Sequence, residues 1–170
     1  MTIRLRGHHL LCMLTYVGKG YTPAFSANFD RIAGRLAEGE DVLLVEGPDD
    51  ICAPMAFECG AHCPGESVRQ RDGEALAAVG QALGLVLQPG GRMCLTAPML
   101  ACMRHAFAAS EAGKAGMRRA CGGCEWSPLC TDIAGAGYAG VRLKMRPGDG
   151  LRRADDVSRR SACLAAYLAE

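Results

Sequence analysis

The sequence lacks a charge excess, a long hydrophobic run and the common signatures of nucleotide-binding or hydrolytic enzymes. Its 170 residues carry 19 lysines and arginines against 18 aspartates and glutamates, so the net charge of +1 gives no reason to expect nucleic-acid binding. The apolar stretch Leu10–Val17 is far shorter than the ~20 residues of a membrane-spanning helix, so no membrane association is expected. No glycine-rich phosphate loop, G-x-S-x-G or H-E-x-x-H motif identifies a reaction or a substrate.

The feature that the sequence does have in quantity is cysteine, with ten residues in the chain. This falls below the ~8–10% of small disulfide scaffolds, and a chain of this length does not need such cross-links. The N-terminus resembles a secretory signal only loosely, because two histidines open its apolar stretch and no small-residue cleavage site follows. We therefore expect a cytoplasmic protein whose clustered cysteines bind metal or take part in redox chemistry.

Helical periodicity and turn residues predict a small, mainly helical α+β domain in which irregular segments carry most of the cysteines. The expected helices are 8–17, Thr22 to about Glu38, 66–83, 98–109 and 154–168. The expected strands are 2–5, 42–45, 85–87 and 141–143. The predicted boundaries are a metal-binding domain over residues 1–143 and a C-terminal helical extension over residues 144–170 that packs on it.

The strongest chemical signal is the C-x2-C-x5-C pattern formed by Cys121, Cys124 and Cys130. Two cysteines separated by two residues can point their sulfurs at one centre, and Gly122-Gly123 allows the tight turn that this requires. Three thiolates lack one ligand for a four-cysteine iron–sulfur or zinc site. A redox-active dithiol at Cys121 and Cys124 is a further alternative, although no βαβ pattern surrounds the pair.

Two other segments could supply the fourth ligand. Cys52, Cys59 and Cys63 form a looser group after the Gly47–Asp50 turn, and Cys52 is the favoured fourth ligand because its loop follows a buried strand. Cys12 shares a helix face with His8 and His9, and with Cys63 and Cys59 it is expected to belong to a second site. The alternative for Cys12 is a small buried apolar residue.

The remaining cysteines are expected to be core residues and not ligands. They stand singly in apolar surroundings: Cys94, Cys102 and Cys163.

Four ordered motifs resemble a bacterial and archaeal family of uncharacterised proteins to which iron–sulfur binding is attributed. The motifs are Arg6-Gly7-His8-His9-Leu10-Leu11-Cys12, Gly18-Lys19-Gly20-Tyr21, Gly47-Pro48-Asp49-Asp50-Ile51-Cys52, and Cys121-Gly122-Gly123-Cys124-Glu125-Trp126 with Cys130. The resemblance covers about residues 2–143 and implies an iron–sulfur cofactor. The family pattern has a further cysteine where this chain has Met55, a departure that counts against a second complete cluster.

Together these observations predict an iron–sulfur protein that transfers electrons, with a redox partner protein, or senses redox state. A [4Fe–4S] cluster is favoured, and a [2Fe–2S] cluster with a His8 or His9 ligand stays open. One alternative is a zinc-stabilised binding module. The other is a metal-dependent enzyme in which His8, His9, Asp49 and Asp50 transfer protons.

Overall fold

The computed structural model describes residues 2–55 and 65–145, which fold as one small domain of helices around a three-stranded sheet. The mainly helical α+β class predicted from the sequence is confirmed. The helices are α1 (His9–Thr15), α2 (Pro23–Ala37), α3 (Glu66–Leu83), α4 (Ala97–Ala108) and α5 (Ser127–Gly135). The strands are β1 (Thr2–Leu5), β2 (Asp41–Leu44) and β3 (Arg92–Cys94).

The sheet has the order β1-β2-β3 and places β2 at its centre. β1 and β2 are parallel, with Thr2 opposite Asp41, so the chain crosses over through α1 and α2 between them. β2 and β3 are antiparallel, with Asp41 opposite Cys94. Ile3 and Leu5 of β1, like Val42 and Leu44 of β2, face the core at period two.

Local sequence signals explain where the longer helices begin and end. Thr22 accepts a hydrogen bond from the backbone N–H of Phe25 and precedes Pro23, which suits the first turn of α2. Thr96 caps α4 in the same way through the backbone N–H of Met99. α3 ends at Gly84, whose left-handed backbone (φ 66°) terminates the helix.

Helix α1 is short, yet it occupies the centre of the domain. All but one of its residues are buried, and it contacts α3, α4 and α5. Gly7, just before it, touches α3 so closely that a Cβ there would overlap the backbone carbonyl oxygen of Asp72. Only glycine permits this approach, which brings the histidines and Cys12 of α1 against the other helices.

Three local expectations need correction. Residues 85–87 and 141–143 are not strands, and the third strand is instead Arg92–Cys94, where backbone pairing with β2 decides the structure. The segment after Cys124 contains helix α5, which places Pro128 in its first turn and Cys130 at the end of that turn. The predicted helix at 154–168, Cys59, Cys63 and Cys163 lie outside the described residues.

No helix in residues 2–55 or 65–145 combines the length and the apolar character that crossing a membrane requires.

Candidate metal centre

The segment from Arg118 to Cys130 folds back on itself through consecutive turns. The backbone N–H of Cys121 donates to the carbonyl of Arg118, and that of Cys124 donates to the carbonyl of Cys121. Gly123 has a φ of 68°, the left-handed conformation that the sequence predicted for this glycine pair. Cys130 follows on α5, where its N–H bonds the carbonyl of Trp126. The turn and the helix together direct three cysteines toward one side of the segment.

The cysteine that joins these three is Cys12 of α1. A pocket between α1, α3 and α5 is lined by Cys12, Cys121, Cys124 and Cys130. Burial raises the pKa of the Cys12 thiol well above its ordinary value, and the nearby Cys130, Cys124 and Cys121 raise it further. The structure therefore brings together four cysteines from two distant parts of the chain.

Without a cation, burial and the neighbouring thiols disfavour ionisation of Cys12, Cys121 and Cys130. Burial raises the pKa of Cys121 and of Cys130, and the other cysteines of the group add to both shifts. Metal ligation requires the thiolate form. A metal that neutralises the group removes this electrostatic cost, so metal binding and ionisation of the four thiols are coupled.

A buried arginine stands beside the cysteine group. The Arg118 side chain packs over the ring of Phe107 with its Cζ 4.8 Å from the ring centre, and it donates to Ser127 and Thr131. The charge of Arg118 lowers the pKa of the Cys121 thiol against the larger effect of burial, which raises it. No carboxylate among the described residues pairs with Arg118, and its buried Nε has no hydrogen-bond partner there. A buried cation of this kind suits an anionic neighbour, which ionised thiolates would supply.

Thr15 gives the centre a hydroxyl donor. Its Oγ1 lies 3.1 Å from Cys130 Sγ and donates to the sulfur across 115 positions of sequence. Thr15 is buried at the end of α1. Sequence reasoning did not single out this residue, nor Arg118, because neither belongs to a ligand motif.

Cys52, the favoured fourth ligand from the sequence, lies in a different group. Donor atoms of His9, Asp49 and Cys52 lie within 4.8 Å of one another, and all three residues are buried. Cys52 does not line the pocket that holds the other four cysteines. This placement gives no support to Cys52 as the fourth ligand and favours Cys12 instead.

The Asp49 carboxylate is already fully used by protein donors. Its Oδ2 accepts from the backbone N–H of Arg6 and lies 2.7 Å from His9 Nδ1, and its Oδ1 accepts from the N–H groups of Ile51 and Cys52. The Arg6 guanidinium also hydrogen-bonds the Cys52 thiol. A cation here would displace these bonds and meet a fixed positive charge, so we interpret the group as structural rather than metal-binding.

His8 and His9 are each held by a carboxylate. His8 Nδ1 lies 2.7 Å from Asp72 Oδ1, and His9 Nδ1 lies 2.7 Å from Asp49 Oδ2. Burial lowers the pKa of His8 to about 4, despite the opposing effect of Asp72. Both imidazoles line a cavity beside Cys12, Cys124 and Cys130. A neutral His8 that donates Nδ1–H to Asp72 keeps Nε2 as a hydrogen-bond acceptor.

Asp72 also neutralises a fully buried positive charge. Arg6 is 0% exposed and donates through Nε and Nη2 to Asp72 Oδ2, at 2.9 and 2.8 Å. The same carboxylate accepts from the backbone N–H of His8. Asp72 therefore ties the segment before α1 to α3 and fixes the orientation of His8.

We expect Asp49 to contribute to stability in a pH-dependent way. Burial alone would raise its pKa, but the charge of His9 and hydrogen bonds from His9, Arg6 and Cys52 hold the pKa at about 2, below the ordinary 3.8. The folded state thus favours the ionised form, and this contribution is complete above about pH 4 and is lost as the pH falls through about 2. Its size is about 2 kcal/mol.

Urea unfolding between pH 5 and pH 2 checks this expectation. The difference in unfolding free energy between the parent protein and Asp49→Asn should shrink toward the acid end of the range. A difference that stays constant with pH would show that the charge of Asp49 is not what stabilises the fold.

The other candidates occupy separate places. Within the described ranges Asp50 does not pair with a histidine. Its Oδ2 accepts from the backbone N–H of Arg4, as expected for a turn residue. Cys102 is buried in the core and Cys94 is partly buried on β3, and neither lines the cysteine pocket. Their exclusion as ligands stays a prediction.

One comparison with known proteins gives a match. A sequence profile described as "Protein of unknown function (DUF1284)" matches residues 20–130. The matched span includes Cys52, Cys121, Cys124 and Cys130, whereas Cys12 and the two histidines precede it. No curated protein and no protein of solved structure matches the chain.

Proposed function

Because the chain belongs to the DUF1284 family, whose description assigns no activity, we propose from its own residues that it binds an iron–sulfur cluster through Cys12, Cys121, Cys124 and Cys130. The observation that carries this proposal is the meeting of four cysteines from α1 and the Arg118–Cys130 segment in one pocket. The donor set fits the cofactor, since thiolates are the usual ligands of iron–sulfur clusters. The family resemblance noted in the sequence points to the same cofactor.

The spacing of the sulfurs favours a cluster over zinc. Four thiolates around one tetrahedral zinc stand ~3.8 Å apart, given Zn–S bonds of ~2.3 Å. Among the described residues, no three of these cysteine sulfurs lie within 4.8 Å of one another. A cuboidal cluster accepts larger distances between the ligand sulfurs, because each thiolate binds a different iron. This supports a [4Fe–4S] cluster.

The surroundings of the centre suit electron transfer or redox sensing. One-electron redox chemistry is what such a cluster supplies when bound. Gly122 and Gly123 are exposed, and Cys121 and Cys124 are only partly buried, so the centre lies near the surface. A redox partner protein could therefore approach within a short distance of it. Arg118 and Thr15 would stabilise the added negative charge of the reduced form.

Anaerobic purification with quantification of iron, sulfide and zinc tests the proposal. We expect a brown protein that absorbs broadly near ~400 nm and contains about four irons and four sulfides per chain. A colourless protein with one zinc per chain would identify a zinc-stabilised module instead. A protein that binds neither after anaerobic reconstitution would overturn the proposal.

Thr15→Val should make the reduction potential more negative. The substitution keeps the shape of the side chain but removes the O–H donor to Cys130, so the reduced cluster loses one stabilising hydrogen bond. A shift on the order of tens of millivolts is expected from the strength of one such bond. Redox titration followed by visible absorbance measures it, and Thr15→Ser, which retains the hydroxyl, should stay close to the parent value. Equal potentials for the two variants would contradict the assigned role.

A further inference from the structure

A cavity of about 110 Å³ adjoins the cysteine pocket and shares Cys12, Cys124 and Cys130 with it. His8 and His9 also line this cavity, as do the rings of Tyr21, Phe25 and Trp126. We propose that this cavity binds a small carboxylate with a flat apolar body. The proposal goes beyond cluster binding, because it adds a ligand site next to the proposed cluster.

Two cations line the cavity and can bind an anion, while the charge of Glu125 acts on Tyr21 at the aromatic side. Lys19 and Arg71 are among its lining residues, and no aspartate or glutamate is. Neither cation has a carboxylate partner among residues 2–55 and 65–145. In the described part of the chain, the acids bonded to the two histidines are Asp49 and Asp72. Both carboxylates already accept from Arg6, the histidines or backbone donors. A carboxylate near Arg71 and Lys19 would receive charge-assisted hydrogen bonds that no protein group supplies.

The walls favour a planar apolar body. Tyr21 meets Phe25 and Trp126 edge to face, with ring centres 5.5 and 5.4 Å apart, so three rings form one continuous side. A dry cavity of about 150 Å³ holds a benzene ring. The smaller volume here, with its open side, suits a single ring whose carboxylate extends toward the solvent-exposed Lys19.

Arg71 has a competing explanation that the experiment must separate. It lies close enough to Cys12 to lower the pKa of that thiol, so it could serve only to balance the charge of the thiolates. Arg118, which does not line this cavity and whose charge lowers the pKa of Cys121, already meets that need. Lys19 stands at the exposed edge of the cavity, where charge balance of the thiolates does not require it.

Isothermal titration calorimetry of the anaerobically purified protein with benzoate at low ionic strength tests the proposal. We expect saturable binding of one benzoate per chain, and at least about tenfold weaker binding by Arg71→Gln and by Lys19→Gln. The matched control is Arg69→Gln, which removes a mostly exposed arginine from the same helix. Benzamide, a neutral molecule of the same shape, should bind at least tenfold more weakly than benzoate.

Three outcomes would overturn the proposal: no saturable benzoate binding, equal binding of benzamide, or benzoate affinity unchanged in both cavity variants. If Arg71→Gln alters only the visible spectrum or the reduction potential, charge balance is its role. Iron, sulfide and zinc are measured in every sample. Benzoate binding by an iron-free, folded protein would therefore contradict the cluster proposal and support the cavity site. An iron-loaded protein that does not bind benzoate would support the cluster and contradict the cavity site.

Discussion

Cys12→Ser is expected to remove most of the bound iron from the anaerobically purified protein. Serine keeps the size of the side chain but offers a poor iron ligand, and the remaining three thiolates would leave one iron open to solvent. No other cysteine in residues 2–55 or 65–145 lines the pocket, so none of them is placed to replace Cys12. Cys124→Ser should cause a similar loss. Iron and sulfide per chain, with the visible spectrum, measure the effect.

The matched comparison is Cys52→Ser, which tests the sequence-based prediction that Cys52 is the fourth ligand. Cys52 lies beside Arg6, His9 and Asp49, so its replacement should lower stability but leave the iron content unchanged. Cys94→Ser, on β3, serves as a second control. If Cys52→Ser loses the iron and Cys12→Ser keeps it, then Cys52 completes the centre and the interpretation given for the pocket is wrong.

Asp72→Asn is expected to lower the free energy of unfolding by about 3–5 kcal/mol. The asparagine has nearly the same shape but carries no charge, so the fully buried Arg6 loses its counter-ion. The substitution also replaces one of the two carboxylate oxygens that accept hydrogen bonds from Arg6 and His8. Urea unfolding at neutral pH measures the loss, and a destabilised α1 should lower the retention of iron as well.

Glu66→Gln is the control on the same helix. Its carboxylate is 94% exposed and stands 3.9 Å from Arg69 Nη1, so its removal should change stability by less than about 0.5 kcal/mol. If Asp72→Asn costs no more than Glu66→Gln, the buried carboxylate does not hold the two segments together.

The part of the centre that could be predicted from sequence is the part whose geometry is local. Two glycines between Cys121 and Cys124 predict a tight turn, and the positive φ of Gly123 confirms it. Thr22-Pro23 predicts the start of α2 for an equally local reason, since the cap and the proline act within one turn. Such signals depend on neighbours in the chain and need no knowledge of the fold.

The choice of the fourth cysteine could not be made this way. Cys12 and Cys52 each follow a segment that the core fixes in place, and only the packing of α1 against α3 and α5 brings Cys12 to the other sulfurs. Asp72 carries no sequence signal at all, because an aspartate inside a helix is ordinarily a solvated residue. Its role follows from Gly7, which lets the backbone before α1 approach α3.

The prediction of secondary structure from the sequence was wrong where tertiary contacts decide the structure. Residues 85–87 have the apolar character of a strand, but backbone hydrogen bonds from β2 go to Arg92–Cys94 instead. Helix α5 was not predicted from the sequence, because its proline and its cysteine are typical of loops. Here the proline occupies the first turn, where it costs no hydrogen bond.

The hydrogen bond between Thr15 of α1 and Cys130 determines when the centre can form during translation. Thr15 and Cys130 are 115 positions apart, so at about 5–20 residues per second the ribosome needs roughly 5–25 s to complete the centre. Throughout that interval the nascent chain exposes the Cys12 thiol without its partners. If the four cysteines hold the proposed cluster, its insertion must follow translation of most of the described chain, because the last ligand, Cys130, is made near the end of that chain.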